Sequence, residues 1–297
     1  MTTVLEREQR PLTSSRANRS RRLGELSFQA LLLVCTGVGL VVLGILLYTV
    51  FDRGGSRLSV DFLTSFPSRR PANAGVKAAI YGSLWLIGLT TAIAVPISVG
   101  AAIYLEEMAP RNRFTRLIEV NISNLAGVPS IIYGILALGV VARGLGLGFS
   151  LWTGSIALSL LAFPVIVIAA RESIRSVPPS IRQGAYALGA TRWQVTKRAV
   201  MPPARGGILT GCILALSRAL GEAAPLLLLG ALVFSASVPN DPGDRYTALP
   251  LQIFNWINRP QAGFQITAAA GIIVLLGVLF VINGVAIALR RRSQQTW

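Results

Sequence analysis

Six long apolar runs, set apart by polar connections, dominate this chain of 297 residues. They cover approximately Leu26–Phe51, Lys77–Leu105, Ile118–Ala142, Leu151–Arg171, Gly207–Ser235 and Ile266–Leu289. An α-helix needs about 20 apolar residues to cross the hydrocarbon core of a bilayer. The runs are too long and too unbroken for barrel strands, which alternate over about ten residues. Charged residues make up 13% of the chain and apolar residues 53%, whereas a soluble domain carries about 25% charged residues. The expected fold class is therefore an all-α integral membrane protein with six transmembrane helices.

The net charge of +16 raises the question of nucleic acid. The basic residues instead flank the apolar runs, where the positive-inside rule places them, so no nucleic-acid partner is expected. Counted by connection, nineteen Lys and Arg fall on the side of the N-terminus and eight on the other. Both termini are thus expected in the cytoplasm. The polar, Arg-rich residues 1–25 read as a flexible cytoplasmic arm ahead of an uncleaved first span, because the run that follows exceeds a signal-peptide core of about 7–15 residues. Residues 26–76 then hold the first span and an exterior loop, 77–292 the main transmembrane domain, and 293–297 a short tail.

There is no His, and Cys35 and Cys212 both fall inside apolar runs. Neither suits a disulfide or a metal site, so no metal ligand and no catalytic residue is expected. Glycines 144, 146 and 148 read as a tight exterior turn rather than a phosphate loop, because the strand and helix that give such loops their function are missing. Ala248–Ile257 reads as a short interfacial or re-entrant helix, with Leu251, Phe254 and Trp256 at the membrane interface.

The connection 172–205 is the long one on the N-terminal side. Pro178-Pro179 and Pro202-Pro203 punctuate its two ends. Between them Ala185, Leu188 and Gly189 offer a small apolar face with a turn-forming glycine, and Trp193, Val195 and Val200 continue in a second short helix. Such a helix–Gly–helix unit fits two roles, a knob for a partner's groove or an amphipathic pair on the membrane surface.

The fifth run carries Arg218 and Glu222. Arg218 lies ~16 Å along a helix from Gly207, near the middle of a ~30 Å core. Glu222 is i+4 from it, hence on the same helix face, and Pro225 is placed to kink the next turn. A charge at that depth costs about 2.5–3.5 kcal/mol on the insertion scale. One reading is a buried ion pair that locks helix packing. The other is an anion site, since the guanidinium fork matches phosphate oxygens in bidentate fashion. Arg171 reads either as an ordinary anchor at the end of its span or as a second anion contact. Ser130 and Tyr133 offer hydroxyls for the path or for helix–helix hydrogen bonds, and Gly207 with Gly211 reads as a close-packing surface.

The segment Gln183–Pro202 resembles the cytoplasmic "EAA" loop of the permease subunits of bacterial ABC importers. Ala185, Leu188, Gly189, Val200 and Pro202 fit that pattern, while Gln183 replaces its Glu and Gly184 replaces an Ala. AYALGAT at 185–191, GILTGCILALSRALGEAAPLLL at 207–228, LAGVPSIIYG at 125–134 and ALPLQIFNW at 248–256 look like the A-type permease subunits of phosphate-specific transporters.

The resemblance implies a type I importer transmembrane fold in a bacterial plasma membrane. It implies a homologous C-type permease subunit as partner, two ATPase subunits on the cytoplasmic loops, and an extracytoplasmic phosphate-binding protein. ATP and Mg would sit on the ATPase, since this chain has no phosphate-loop motif of its own, and the chain would bind no cofactor. Gln183, Gly184, Ala185, Leu188, Gly189, Ala190 and Pro202 would form the coupling loop. Arg218, Glu222, Arg171, Ser130 and Tyr133 are the residues expected along the substrate path. A permease for sulfate, molybdate or another oxyanion is the nearest alternative. A stand-alone secondary transporter is a more distant one, expected to show broken helices in paired halves.

Overall fold

The computed structural model describes residues 16–229 and 237–293. All regular structure among them is helical. Residues up to Val50 form one unit and residues from Phe51 a second. The first unit is most of helix α1 (Arg16–Gly54). Its large apolar side chains from Leu26 to Leu46 are exposed. The helix is described from Arg16 onward, so residues 16–25 are helical rather than the flexible arm expected of them; residues 1–15 lie outside the described residues.

In the second unit, Ser59 caps the short helix α2 (Val60–Thr64) by accepting from the Phe62 amide. Helix α3 (Lys77–Ile103) continues into a wide turn, Tyr104–Met108, bonded in steps of five residues. The span expected at Ile118–Ala142 is not one helix. It is α4 (Arg113–Leu125) and α5 (Ser130–Leu136, widened over Ala137–Gly144), which meet at 108°. The break falls at Ala126-Gly127-Val128-Pro129, where the proline disfavours a helical Val128. Among the described residues, five helices are therefore long and apolar enough to span a membrane, and six if the bent pair is one span.

Helix α6 (Leu151–Arg175) is the most buried of these spans. It follows the glycine turn, in which Gly146 and Gly148 adopt φ +71° and +58°, conformations that need no Cβ. After α7 (Pro179–Ala187) and α8 (Arg192–Gln194), the chain stays helical through a wide turn, Val195–Val200, into α9 (Met201–Gly221). Pro202-Pro203 thus does not end the second loop helix as expected. A proline ring clashes with the carbonyl four residues back and offers it no donor. For Pro202 and Pro203 those carbonyls belong to Arg198 and Ala199, inside the wide turn, where the bonding step is five residues.

Helices α3, α6 and α9 share one core, which includes Ala94 and Ala102, Ile166 and Ala170, and Val195, Ala204, Ile208 and Ala215 from the α8–α9 segment. A Cβ on Gly207 would collide with Ser173, and one on Gly211 with Ala169. The Gly-x-x-x-Gly pair is thus the close-packing surface of α9 against α6, as expected.

Helix α9 stops at Gly221, short of the expected end at Ser235. Glu222 is extended (φ −82°, ψ 117°), and a short helix α10 (Ala224–Leu228) follows. Residues 230–235 of that expected span lie outside the described residues. Helix α11 (Leu249–Ile257) forms where a short interfacial or re-entrant helix was expected. Leu251 and Trp256 are buried, Trp256 in one cluster with Phe62 and Phe264; only Phe254 of the three is exposed. Helix α12 (Ala262–Ser293) ends the described chain.

Candidate functional site

The connection between α6 and α9 folds into a rigid knob. Helix α7 starts on Pro179 at its first position, where no amide is needed. It ends in a Schellman arrangement: the Ala190 amide donates to Ala185 O at 3.1 Å and the Gly189 amide to Tyr186 O at 2.9 Å. Gly189 sits at φ +79°, the left-handed conformation this stop requires. Helix α8 then opens with a capping box. The Gln194 amide donates to Thr191 Oγ1 at 3.4 Å, and the Thr191 amide donates to Gln194 Oε1 at 2.9 Å. Two capped ends two residues apart leave the turn little freedom.

The knob has two faces. Ala185 and Ala190 pack against the helical core. Gln183, Gly184 and Gly189 are exposed, and Leu188 is 90% exposed. Ala185 and Leu188, expected on one apolar face, are therefore divided between the bundle and the outside. Tyr186 and Trp193 flank Leu188 in sequence and are also exposed. Pro202 lies in the first turn of α9, outside the knob itself.

Arg182 ties the knob to the spans. Its Nη1 donates to Val177 O at 2.6 Å and its Nη2 to Ile174 O at 2.8 Å, capping the C-terminal end of α6. The same guanidinium donates from Nη2 at 3.0 Å and from Nε at 3.2 Å to Glu107 Oε1, in the wide turn that ends α3. Beside this lies a second ion cluster. Arg171, 7% exposed, donates to Glu106 Oε1 and to Glu119 Oε1, both at 2.6 Å. Arg175 reaches Glu106 at 2.8 Å and Glu172 at 3.5 Å. Arg171 is therefore not an anchor at the span end or a free anion contact: two carboxylates hold it, and through it α3, α4 and α6 are cross-linked. Glu106, Glu107, Glu119, Arg175 and Arg182 were not singled out from sequence. Glu106-Glu107 is the only Glu-Glu pair in the chain, and its place at the end of an apolar run was the available signal.

Arg218 lies at the other end of α9, in its last turn, with Glu222 just past the helix end. The two are not a pair on one helix face at mid-span, as the i+4 spacing suggested. The chain has left the helix at Glu222, and the Arg218 Nε to Glu222 Oε1 separation is 3.8 Å, an ion pair without a hydrogen bond. The Arg218 side chain is 63% exposed and that of Glu222 24%, so the pair is not a buried lock. Immediately before Arg218 on α9, Ser217 shares a hydrogen bond with Asn283 of α12.

The two helix breaks are joined through packing. A Cβ on Gly134 of α5 would strike the backbone of Pro225 in α10. Tyr133 is buried, and its hydroxyl donates to Leu125 O at 2.7 Å, bridging the α4–α5 break. Ser130 begins α5 and is half-buried. Tyr133 thus bonds across the kink, while Ser130 and Tyr133 share helix α5, three residues apart.

Comparison with known proteins agrees with this arrangement. Residues 94–294 match the family described as binding-protein-dependent transport system inner membrane component. The chain is 33% identical over 195 residues to a probable ABC transporter permease protein, YqgI, of Bacillus subtilis, covering 66% of each chain. It is 35% identical over 217 residues to the phosphate transport system permease protein PstA 1 of Mycobacterium tuberculosis, covering 73% of this chain and 70% of that one. The aligned part thus spans about two thirds of the length of these relatives. Among solved structures, a bacterial alginate ABC transporter in complex with an alginate-pentasaccharide-bound periplasmic protein aligns with a TM-score of 0.66. It covers 95% of this chain and 99% of that one at 17% identity, a likeness of fold. The capped knob between α6 and α9 and the match over residues 94–294 place this chain in the family of inner-membrane components of binding-protein-dependent transport systems.

Proposed function

We propose that this chain is a permease subunit of an ATP-driven phosphate importer, and that it forms the transmembrane phosphate path together with a homologous C-type permease subunit. The observation that carries the reading is the capped knob, exposed at Leu188 and tied by Arg182 to the ends of α3 and α6. A rigid protrusion bonded to two spans can pass a partner's movement into the bundle, whereas a loose loop would absorb it. Two ATPase subunits bind ATP and Mg and dock on this knob and its counterpart, and an extracytoplasmic phosphate-binding protein delivers the substrate. This chain binds no cofactor and performs no catalysis. It lies in the bacterial plasma membrane, with the knob and both termini on the cytoplasmic side, as the positive-inside count requires.

The phosphate reading rests on Arg218 together with the likeness to phosphate transport permeases. Its Nη1 and Nη2 make no hydrogen bond to the described residues, which leaves the bidentate fork available to an oxyanion. Glu222 at 3.8 Å holds the guanidinium weakly in the empty path and competes with the bound anion, which favours release.

The decisive experiment is uptake of labelled phosphate by the reconstituted importer, with sulfate and molybdate as competitors. Arg218→Gln is expected to abolish uptake while the subunits still copurify. Wild-type uptake by an assembled Arg218→Gln complex would refute the anion site, and inhibition by sulfate equal to that by unlabelled phosphate would refute the substrate. Reporter fusions to the C-terminus test the orientation.

A further inference from the structure

We propose that the recess between the α3–α4 connection and the α7–α8 knob is a binding site for a phosphate group, presented by an anionic lipid headgroup or by free inorganic phosphate. This site is separate from Arg218 and does not depend on which substrate the protein carries.

The recess has a volume of about 1070 Å³, and six arginines and three glutamates line it. The glutamates are already spoken for. Glu106 is held by Arg171 and Arg175, Glu119 by Arg171, and Glu107 by Arg182. Arg111, Arg113, Arg116 and Arg192 remain, all exposed and none within ion-pair distance of a carboxylate among the described residues. Four unmatched guanidiniums around one hollow make a local excess of positive charge that an anion neutralises.

Helix α4 adds to this excess. Its first turn contains no acidic residue and begins with Arg113, the reverse of what the positive end of a helix dipole favours. A bound oxyanion relieves both the dipole and the arginine repulsion. The walls are also fixed in advance. Asn112 Oδ1 accepts from the Thr115 amide at 2.8 Å, and the Thr115 hydroxyl donates to Pro110 O at 2.8 Å, which sets the stretch bearing Arg111 and Arg113. Arg192 enters from the opposite wall on the first residue of α8, whose capping box holds it. Guanidinium forks on a fixed backbone suit phosphate oxygens. Phe114, Leu117 and Val120, exposed on α4 beside these arginines, make a surface suited to the boundary between headgroups and acyl chains.

The test uses the full-length chain in nanodiscs, with Arg218→Gln throughout so that an anion at Arg218 adds nothing. The thermal unfolding midpoint is measured in phosphatidylcholine alone, with phosphatidylglycerol added, and with inorganic phosphate added. The intact recess is expected to gain stability from at least one additive. Arg192→Gln, a surface change on one wall, and the triple variant R111Q/R113Q/R116Q are each expected to weaken that binding roughly tenfold or more. A gain from the lipid alone identifies a headgroup, and a gain from phosphate alone identifies the free ion. No gain from either additive, or an equal gain in the intact and Arg192→Gln proteins, would overturn the proposal; Arg192→Gln decides it even if the triple variant does not fold.

Discussion

Two arginines exchange the roles that their positions in the sequence suggested. Arg218, placed by counting at the centre of a span, is 63% exposed near a helix end, with one weak ionic contact. Arg171, at the end of its span, is 7% exposed and fully engaged by Glu106 and Glu119. Removing one member of a buried, hydrogen-bonded ion pair leaves an uncompensated charge and costs about 3–5 kcal/mol. Arg171→Met is therefore expected to lower the thermal unfolding midpoint of the purified protein markedly, and Arg218→Gln to leave it nearly unchanged. Equal midpoints for Arg171→Met and wild type would refute the structural role of the Arg171 cluster. At Gly189 the constraint is the backbone. A non-glycine residue at φ +79° is strained by about 1–2 kcal/mol, and Asn is the best tolerated. Gly189→Val is expected to reduce copurification of the ATPase, and Gly189→Asn to preserve it; the same yield for both would show that the shape of the turn is not what the partner reads.

Among elements, the wide turns and the breaks shape the bundle. Turns of five-residue step end α3, widen α5 and precede α9. The last of these lets a helix run from Arg192 to Gly221 across two prolines. This joins the knob to the helix bearing Arg218 without an intervening loop. Helix α9 rests on α6 through Gly207 and Gly211, where an added Cβ has no room. Gly211→Leu is expected to destabilise the protein by at least the ~1–3 kcal/mol typical of an overpacked core, read as a fall in unfolding midpoint. Gly221→Ala, at a position with open space, serves as the control, and a fall as large in the control would remove the packing explanation. The breaks at 126–129 and 222–223 are what the secondary-transporter alternative expected of paired halves. The chain belongs instead to the family of inner-membrane components of binding-protein-dependent transport systems, and the packing of Gly134 against Pro225 places the two interrupted segments together.

At the largest scale, the second unit has an ionic, knob-bearing end and an interrupted end, with α9 running between them. Arg182 is the junction at the first end, because one guanidinium binds the knob to the Ile174 carbonyl of α6, to the Val177 carbonyl just past it and to the Glu107 carboxylate after α3. Arg182→Gln is expected to leave the ATPase bound and hydrolysing ATP while phosphate uptake falls at least tenfold. Full uptake, or loss of the ATPase from the complex, would each count against a coupling role. Much of this plan was legible in the sequence. The long apolar runs, the proline that opens the knob, Gly189 in its turn and the Gly-x-x-x-Gly surface follow from local rules: span length, fixed proline φ, tolerance of positive φ and the absence of a side chain. Those rules act over a few residues, so residues 77–108, 151–175 and the knob could be read directly. The partners of Glu106, Glu107, Glu119 and Arg182 could not, because ion pairs such as Arg182–Glu107 join residues 75 positions apart. The break at Gly221 was also hidden, since a helix of Leu and Ala can continue or stop at a given residue according to what packs beside it. Sequence by itself determined that this chain is a helical membrane protein with a basic knob and one charged helix near its end. The tertiary structure decided which arginine is locked and which is open, because charge neutralisation depends on distances between helices that no local pattern encodes.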